Sequence, residues 1–270
     1  MTSNKMRNLD WLYRTKSQNR FLAIMIFKFL FFIFGLIAIF SQVLGSNSAP
    51  ILIFLYVVME VVSASYNKTR NLWESFHREL ELSESLGLPI NKHIDILPCL
   101  SKNEKTNLDM DDSYGTSYFA NNTSSVSDSF KNTLESSWWS KHLAQSTSTL
   151  YMAITICIGT ISLIAVFYSI QHLNDSKDLQ TAAKVVVSFI FMIFSMDFIK
   201  LWYGFHSFYV GSEKIENKSR DYIASGCEDK LDAYSLWVEY QFIRAQAPLI
   251  PQLIWKLKKD RLNEIWQSTH

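Results

Sequence analysis

The chain has 270 residues, of which 48% are hydrophobic and 19% charged, and it carries 19 Phe, 12 Tyr and 8 Trp. With a mean hydropathy near zero (+0.03), it combines strongly apolar stretches with sizeable polar regions. A formal net charge of +1 argues against a general polyanion binder, so a DNA or RNA polymer is not an expected partner.

The first 20 residues hold Lys5, Arg7, Arg14, Lys16 and Arg20 and precede FLAIMIFKFLFFIFGLIAIF, residues 21–40, apolar everywhere but at Lys28. About 20 such residues suffice to cross a hydrocarbon core as a helix. The run exceeds signal length, and SQVLGSNSAP leads into a second apolar block, so a cleaved leader is not expected. That block, PILIFLYVVMEVVSA (50–64), lies close enough in sequence to form an antiparallel hairpin with the first. Residues 150–170 and 182–203 predict a second hairpin around QHLNDSKDLQT. The predicted fold class is an all-α integral membrane protein with four transmembrane helices in two hairpins and helical cytoplasmic extensions.

Lysine and arginine set the orientation. They flank spans one and two on one side (Arg20; Lys68, Arg70, Arg78), with none in the loop between. Lys141 precedes span three, and Lys200, Lys214, Lys218 and Arg220 end or follow span four. Both termini and the central segment are therefore expected in the cytoplasm, and Asn67, Asn121 and Asn217 are chance matches to a glycosylation motif. The organisation is then a cytoplasmic segment (1–20), hairpin one (21–64), a cytoplasmic stalk with a polar insertion (65–149), hairpin two (150–203) and cytoplasmic stalk and amphipathic helices (204–270).

Leu72, Trp73, Phe76 and Leu80 recur at helical spacing after span two, with Gly87 and Pro89 as a stop. Phe205, Phe208, Tyr209, Ser212 and Ile215 form a similar stripe after span four, ending near Gly226, and the two stalks are expected to pack beneath the membrane. Residues 101–137 are polar, without helical period, and read as a mobile insertion. Cys99, Cys157 and Cys227 form no framework and read as reduced.

No motif supports an enzyme. Glu74-x-x-His77 has the spacing of a helical metal half-site, but no second half-site exists and both residues fit a solvated helix face, so no metal or other cofactor is expected. His93, His142, His172 and His206 are isolated, and there is no Walker loop or nucleophile elbow.

Three ionisable groups fall in one membrane layer. Lys28 lies eight positions after Arg20, Glu60 eight before Lys68, and Asp197 thirteen after Lys184. Each is costly if it faces lipid. Lys28 either snorkels or pairs with Glu60 to lock the hairpin, or the layer of Lys28, Glu60 and Asp197 lines a pathway. Four close-packed helices leave no ion channel, so the pathway reading requires a homo-oligomer.

ESLGLPIN (84–91) is similar to a Leu-x-Leu-Pro-Trp-Asn element, with Ile90 in place of the tryptophan. RAQAPLIPQLIWKLKKDRLNEIW contributes an Arg-bearing helix, a Pro-x-x-Pro break and a basic helix through Arg244, Pro248, Pro251, Arg261 and Glu264. With the two-hairpin layout, these stretches resemble the four-transmembrane pore-forming effectors of bacterial cyclic-oligonucleotide anti-phage signalling (CBASS). The resemblance implies an inner-membrane effector that binds a cyclic nucleotide messenger from a partner nucleotidyltransferase, opens a pore and causes abortive infection. A cyclic nucleotide calls for cations beside aromatic faces. Arg220, Tyr222, Trp237, Tyr240 and Arg244 are the candidate ligand-binding residues. The cluster 256–261, with Ile254, Leu257, Leu262 and Trp266, serves either this ligand or anionic headgroups. The alternative function is a non-conducting membrane-anchored scaffold or regulator; a transporter is weaker, for want of Gly/Pro-interrupted spans.

Overall fold

A computed structural model describes residues 3–40, 48–86, 125–172 and 196–269, with a few positions between 183 and 193. Among the described residues the elements are all helical: α1 (Ser3–Phe40), α2 (Ser48–Leu86), α3 (Val126–His172), α4 (Phe198–Ala224), α5 (Lys230–Gln246) and α6 (Gln252–Thr269). Among the described residues, three stretches are long and apolar enough to cross a membrane: Arg7–Gly35, Pro50–Glu84 and Val126–Ile164. At a rise of 1.5 Å per residue these 29, 35 and 39 residues run about 44, 53 and 59 Å, well beyond a hydrocarbon core of about 30 Å. Their charged ends, residues 7–20, 68–84 and 126–141, therefore project from the apolar part. The expected fourth span, 182–203, falls largely outside the described residues.

Two antiparallel pairs, α1 with α2 and α3 with α4, make the most extensive contacts. Arg20 donates to the Ser65 carbonyl at 2.8 Å and Phe21 packs on Tyr66, fixing the base of the first pair where its apolar runs end. Below that level Leu9, Tyr13, Trp73, Phe76 and Leu80 are buried together. In the second pair, the predicted stripe of Phe205, Phe208, Ser212 and Ile215 is the buried face of α4.

Three expectations are corrected. Residues 126–137, read as part of a mobile insertion, are the first three turns of α3, because Phe130, Leu134 and Trp138 recur at i, i+4 and i+8 and bury on neighbouring helices while serines fill the tight positions. The stalks also pair differently: each packs mainly within its own hairpin, α2 against the N-terminal half of α1 and α4 against the start of α3. Finally, the run 182–203 is interrupted by a turn at Met196 and Asp197, with Asp197 at φ 56°, a left-handed conformation that aspartate tolerates.

The α4–α5 turn uses Gly226 at φ 65° and the Asp229 carboxylate, which caps α5 by accepting from the Leu231 amide at 2.8 Å. Ala247 takes the extended conformation favoured before proline, ending α5, and the Pro251 carbonyl accepts from Ile254 and Trp255 as α6 begins.

Candidate functional site

Helices α1 to α6 and the 247–251 linker enclose a cavity of about 320 Å³ on the projecting side of the apolar runs, within the size range of ligand pockets. Its aromatic walls come from three helices: Trp73 of α2, Trp139 of α3 and Trp255 of α6, with Phe208 and Tyr240 behind them. Its cations are Arg14 of α1, Arg70 of α2, Arg244 of α5 and Lys259 of α6.

Those cations are not equivalent. Arg244 donates to Glu81 at 2.9 Å, approaches Glu74 at 3.7 Å and lies 5.6 Å over the Trp73 ring. Arg70 donates to the Ala245 and Ala247 carbonyls, tying α2 to the linker. The Lys259 ammonium sits 4.9 Å over Trp255. Arg14 makes no ion pair or hydrogen bond among the described residues, so its charge is the most available to an anion. Glu135 likewise has no partner among them, and burial pushes its carboxyl above the ordinary range. The cavity thus presents an uncommitted cation, an uncommitted carboxyl group and three indole rings, of which Trp73 and Trp255 each already face a cation.

Beside it lies a buried charge network that joins α1, α2 and α5. His77 Nδ1 is 2.8 Å from Asp10 and Nε2 is 3.1 Å from Glu81; Gln241 donates to the other Glu81 oxygen. Burial and Arg244 both oppose the imidazolium, yet the Asp10 and Glu81 carboxylates outweigh them and raise the His77 pKa to about 9. For Glu81 burial opposes ionisation, but Arg244, His77 and the Gln241 hydrogen bond bring it down to about 2. Glu74 and His77, expected on a solvated face, are 8% and 3% exposed, because α1 continues as a helix beyond its apolar run and sets Asp10 against His77, while Arg244 of α5 reaches Glu74. The periodicity of α2 alone could have shown this: Glu74, His77 and Glu81 share the face of Trp73 and Leu80.

Of the five expected ligand residues, Tyr240 and Arg244 line the cavity. Tyr240 hydroxyl donates to the Ser136 carbonyl and meets the Ser140 hydroxyl at 2.7 Å. Arg220 lies away from it, paired with Glu216 at 3.0 Å; Tyr222 stacks on Phe130, and Trp237 is buried against Tyr234. In the membrane layer, Lys28 pairs with Asp197, not with the expected Glu60, which is exposed and has no ion pair among the described residues. Met25, Ile158, Met196 and Phe198 cluster around that contact and bring the first hairpin against the second there.

Comparison with protein-family models gives no match, and neither curated proteins nor solved structures yield one. The functional reading therefore rests on the site's own chemistry and on the sequence resemblance.

Proposed function

We propose that the chain is a bacterial inner-membrane effector of anti-phage defence whose cytoplasmic cavity binds a cyclic nucleotide messenger, with assembly or opening into a pore as the result. The observation that carries the reading is the cavity's combination of an uncommitted guanidinium, Arg14, with the indoles of Trp73, Trp139 and Trp255. Phosphate asks for the first and a base for the second. In this reading Arg14 and Lys259 take a phosphate, a base stacks on Trp139, and Glu135, one turn earlier on α3, accepts from a base N–H. The ligand pocket expected from the amino-acid pattern is thereby relocated: Tyr240 and Arg244 stay in it, Arg220, Tyr222 and Trp237 do not.

The cavity draws on both hairpins, so a ligand that fits one relative placement better than another shifts the balance between them; equal affinity for both would shift nothing. A conducting path needs several copies.

The test has two arms. Purified full-length protein is titrated with a panel of cyclic di- and trinucleotides, and induced cells are followed with a membrane-potential dye. Binding that falls at least tenfold in Arg14→Ala, together with messenger-dependent depolarisation, supports the proposal. Absence of binding across the panel overturns the ligand; binding without depolarisation favours the alternative, a non-conducting scaffold or regulator. The mutual neutralisation of Lys28 and Asp197 is the observation that favours that alternative, since a paired charge serves structure as well as it serves a pathway.

A further inference from the structure

Residues 247–251 join α5 to α6 and touch both hairpins at once. Leu249 is 7% exposed and buried in the core of the first hairpin with Leu9, Tyr13, Trp73 and Phe76. Ala247 and Ile250 pack instead in the cluster that holds Phe130 and Ala144 of α3 and Phe208 of α4. Pro248 presses on Gly204 of α4 so closely that a Cβ there would lie 2.8 Å from the proline Cγ. The same segment forms one wall of the cavity.

The linker's hold on the first hairpin is lightly made. Pro248 and Pro251 have no amide hydrogen, and among the described residues Leu249 and Ile250 form no backbone–backbone hydrogen bond. Besides the Leu249 side chain, the tie is Arg70 of α2, which donates through one nitrogen to the Ala245 carbonyl at 3.2 Å and to the Ala247 carbonyl. Arg70 also lines the cavity, and its nearest carboxylate, Glu74, is 4.0 Å away and shared with Arg244 at 3.7 Å. Arg244 is bound to the Glu81 carboxylate at 2.9 Å, so a ligand anion gains little by displacing it. Arg70 bonds neutral carbonyls. A phosphate offers its guanidinium a charged acceptor in the bidentate geometry that those carbonyls lack.

We infer that Arg70 is a second phosphate-binding residue of the cavity and that its engagement unties the linker: the guanidinium exchanges the Ala245 and Ala247 carbonyls for a ligand phosphate, and Leu249 leaves the first hairpin. The inference rests on the reading of the cavity as a cyclic nucleotide site and extends it. A cyclic oligonucleotide has two or more phosphates; Arg14 and Lys259 serve one, and Arg70 serves another. Arg244 keeps α5 on Glu81, so the motion falls on the linker and on α6, whose Trp255 and Lys259 face the same cavity. The ligand favours the untied state because only there is Arg70 free to meet it.

The experiment uses the full chain with Cys99, Cys157 and Cys227 replaced by serine and spin labels on two new cysteines, Asn71→Cys of α2 and Gln252→Cys at the start of α6, both exposed positions. Reconstituted protein is titrated with the panel of cyclic di- and trinucleotides, with binding read by calorimetry and the 71–252 separation by electron spin dipolar spectroscopy. Any member of the panel that binds is expected to lengthen that separation by about 3 Å or more, one residue of extended chain. Ligand-free Arg70→Gln is expected to show the longer separation already and to gain no further shift. Binding with the separation unchanged overturns the inference and leaves the cavity reading standing; this arm keeps Arg70 in place, so it decides the matter even if the variant misfolds. A folded, ligand-free Arg70→Gln with the parent's separation also overturns it, since the linker is then held without the guanidinium. Absence of binding across the panel removes the cavity reading and the inference with it.

Discussion

The two projecting hairpin ends are built on opposite principles. In the first, α1 and α2 are joined by charge: Asp10, His77, Glu81 and Arg244 sit in a buried network, and Arg7 reaches Glu84 at 2.7 Å. In the second, α3 and α4 meet mainly through small side chains, with Ser137, Ala144, Thr147, Ser212 and Ser219 fully buried, and the charged contact between them is a single pair, Lys141 with the buried Glu216, and not a network that reaches a third helix. Several of those hydroxyls return to their own helix, as Thr147 does to Leu143 and Ser219 to Ile215, and so ask nothing of a partner. Close packing of small residues has little dependence on pH or salt, whereas a charge network depends on the protonation of every member. The first hairpin end is thus the one that solution conditions, or an incoming ionic ligand, can reset.

The largest break in this contrast should come from Arg244→Ala, which leaves Glu74 and Glu81 without their shared cation. Loss of one partner of a buried pair costs about 3–5 kcal/mol, and thermal unfolding in detergent should show a drop of that order. An effect no larger than that of a surface substitution would mean that the network is solvated.

The pH dependence sharpens the comparison next. The folded pKa of His77 is raised from 6.5 to about 9, so its contribution is fully present below pH 6.5 and lost as pH rises through about 9, an effect on the order of 3 kcal/mol. Glu81, lowered from 4.5 to about 2, contributes above pH 4.5 and loses that contribution as pH falls toward 2. Melting temperatures between pH 6.5 and 9 should fall in the parent protein and much less in His77→Gln, since the α3–α4 pairing has no comparable titration to add.

Packing near the second hairpin should respond to volume instead. A Cβ on Gly211 would lie 2.6 Å from Ile243 Cγ2, so Gly211→Ala overpacks α4 against α5 and should cost about 1–3 kcal/mol, independent of pH, with recovery in the double variant Gly211→Ala/Ile243→Ala. The smallest effect belongs to Arg220→Ala, which removes an exposed guanidinium from Glu216 while Lys141 still holds that carboxylate at 2.5 Å. A change within about 0.5 kcal/mol, and unaltered ligand binding, are expected.

The sequence was most readable where one helix carried its own pattern. The stripe of Phe205, Phe208, Ser212 and Ile215 repeats within α4 and is its buried face, whereas the expected stop at Gly87 and Pro89 lies outside the described residues. It was least readable where meaning depends on what a neighbour covers. Residues 126–137 look like linker because serine serves both solvated loops and close helix contacts. Lys28 has two carboxylates at its own depth, and only lateral packing chooses Asp197 over Glu60. The cavity draws Trp73, Trp139 and Trp255 from segments more than sixty residues apart, a convergence that no local spacing records.

The unbroken course of α3 has a mechanical consequence. Its 47 residues make a rod of about 70 Å, and Glu135 and Trp139 hold the cavity near one end of it. The helix has no proline and Gly159 as its one glycine, so the usual causes of a sharp kink are few, while Ser146, Thr147, Thr149, Thr155 and Ser162 bond back to carbonyls four residues earlier and allow gentle bending. A rigid rod pivoting where α3 crosses α4 amplifies: a tilt of about 5° moves a point 40 Å away by about 3–4 Å, roughly the width of a water molecule. A displacement too small to notice at the cavity would then be several ångströms at the other end of the helix.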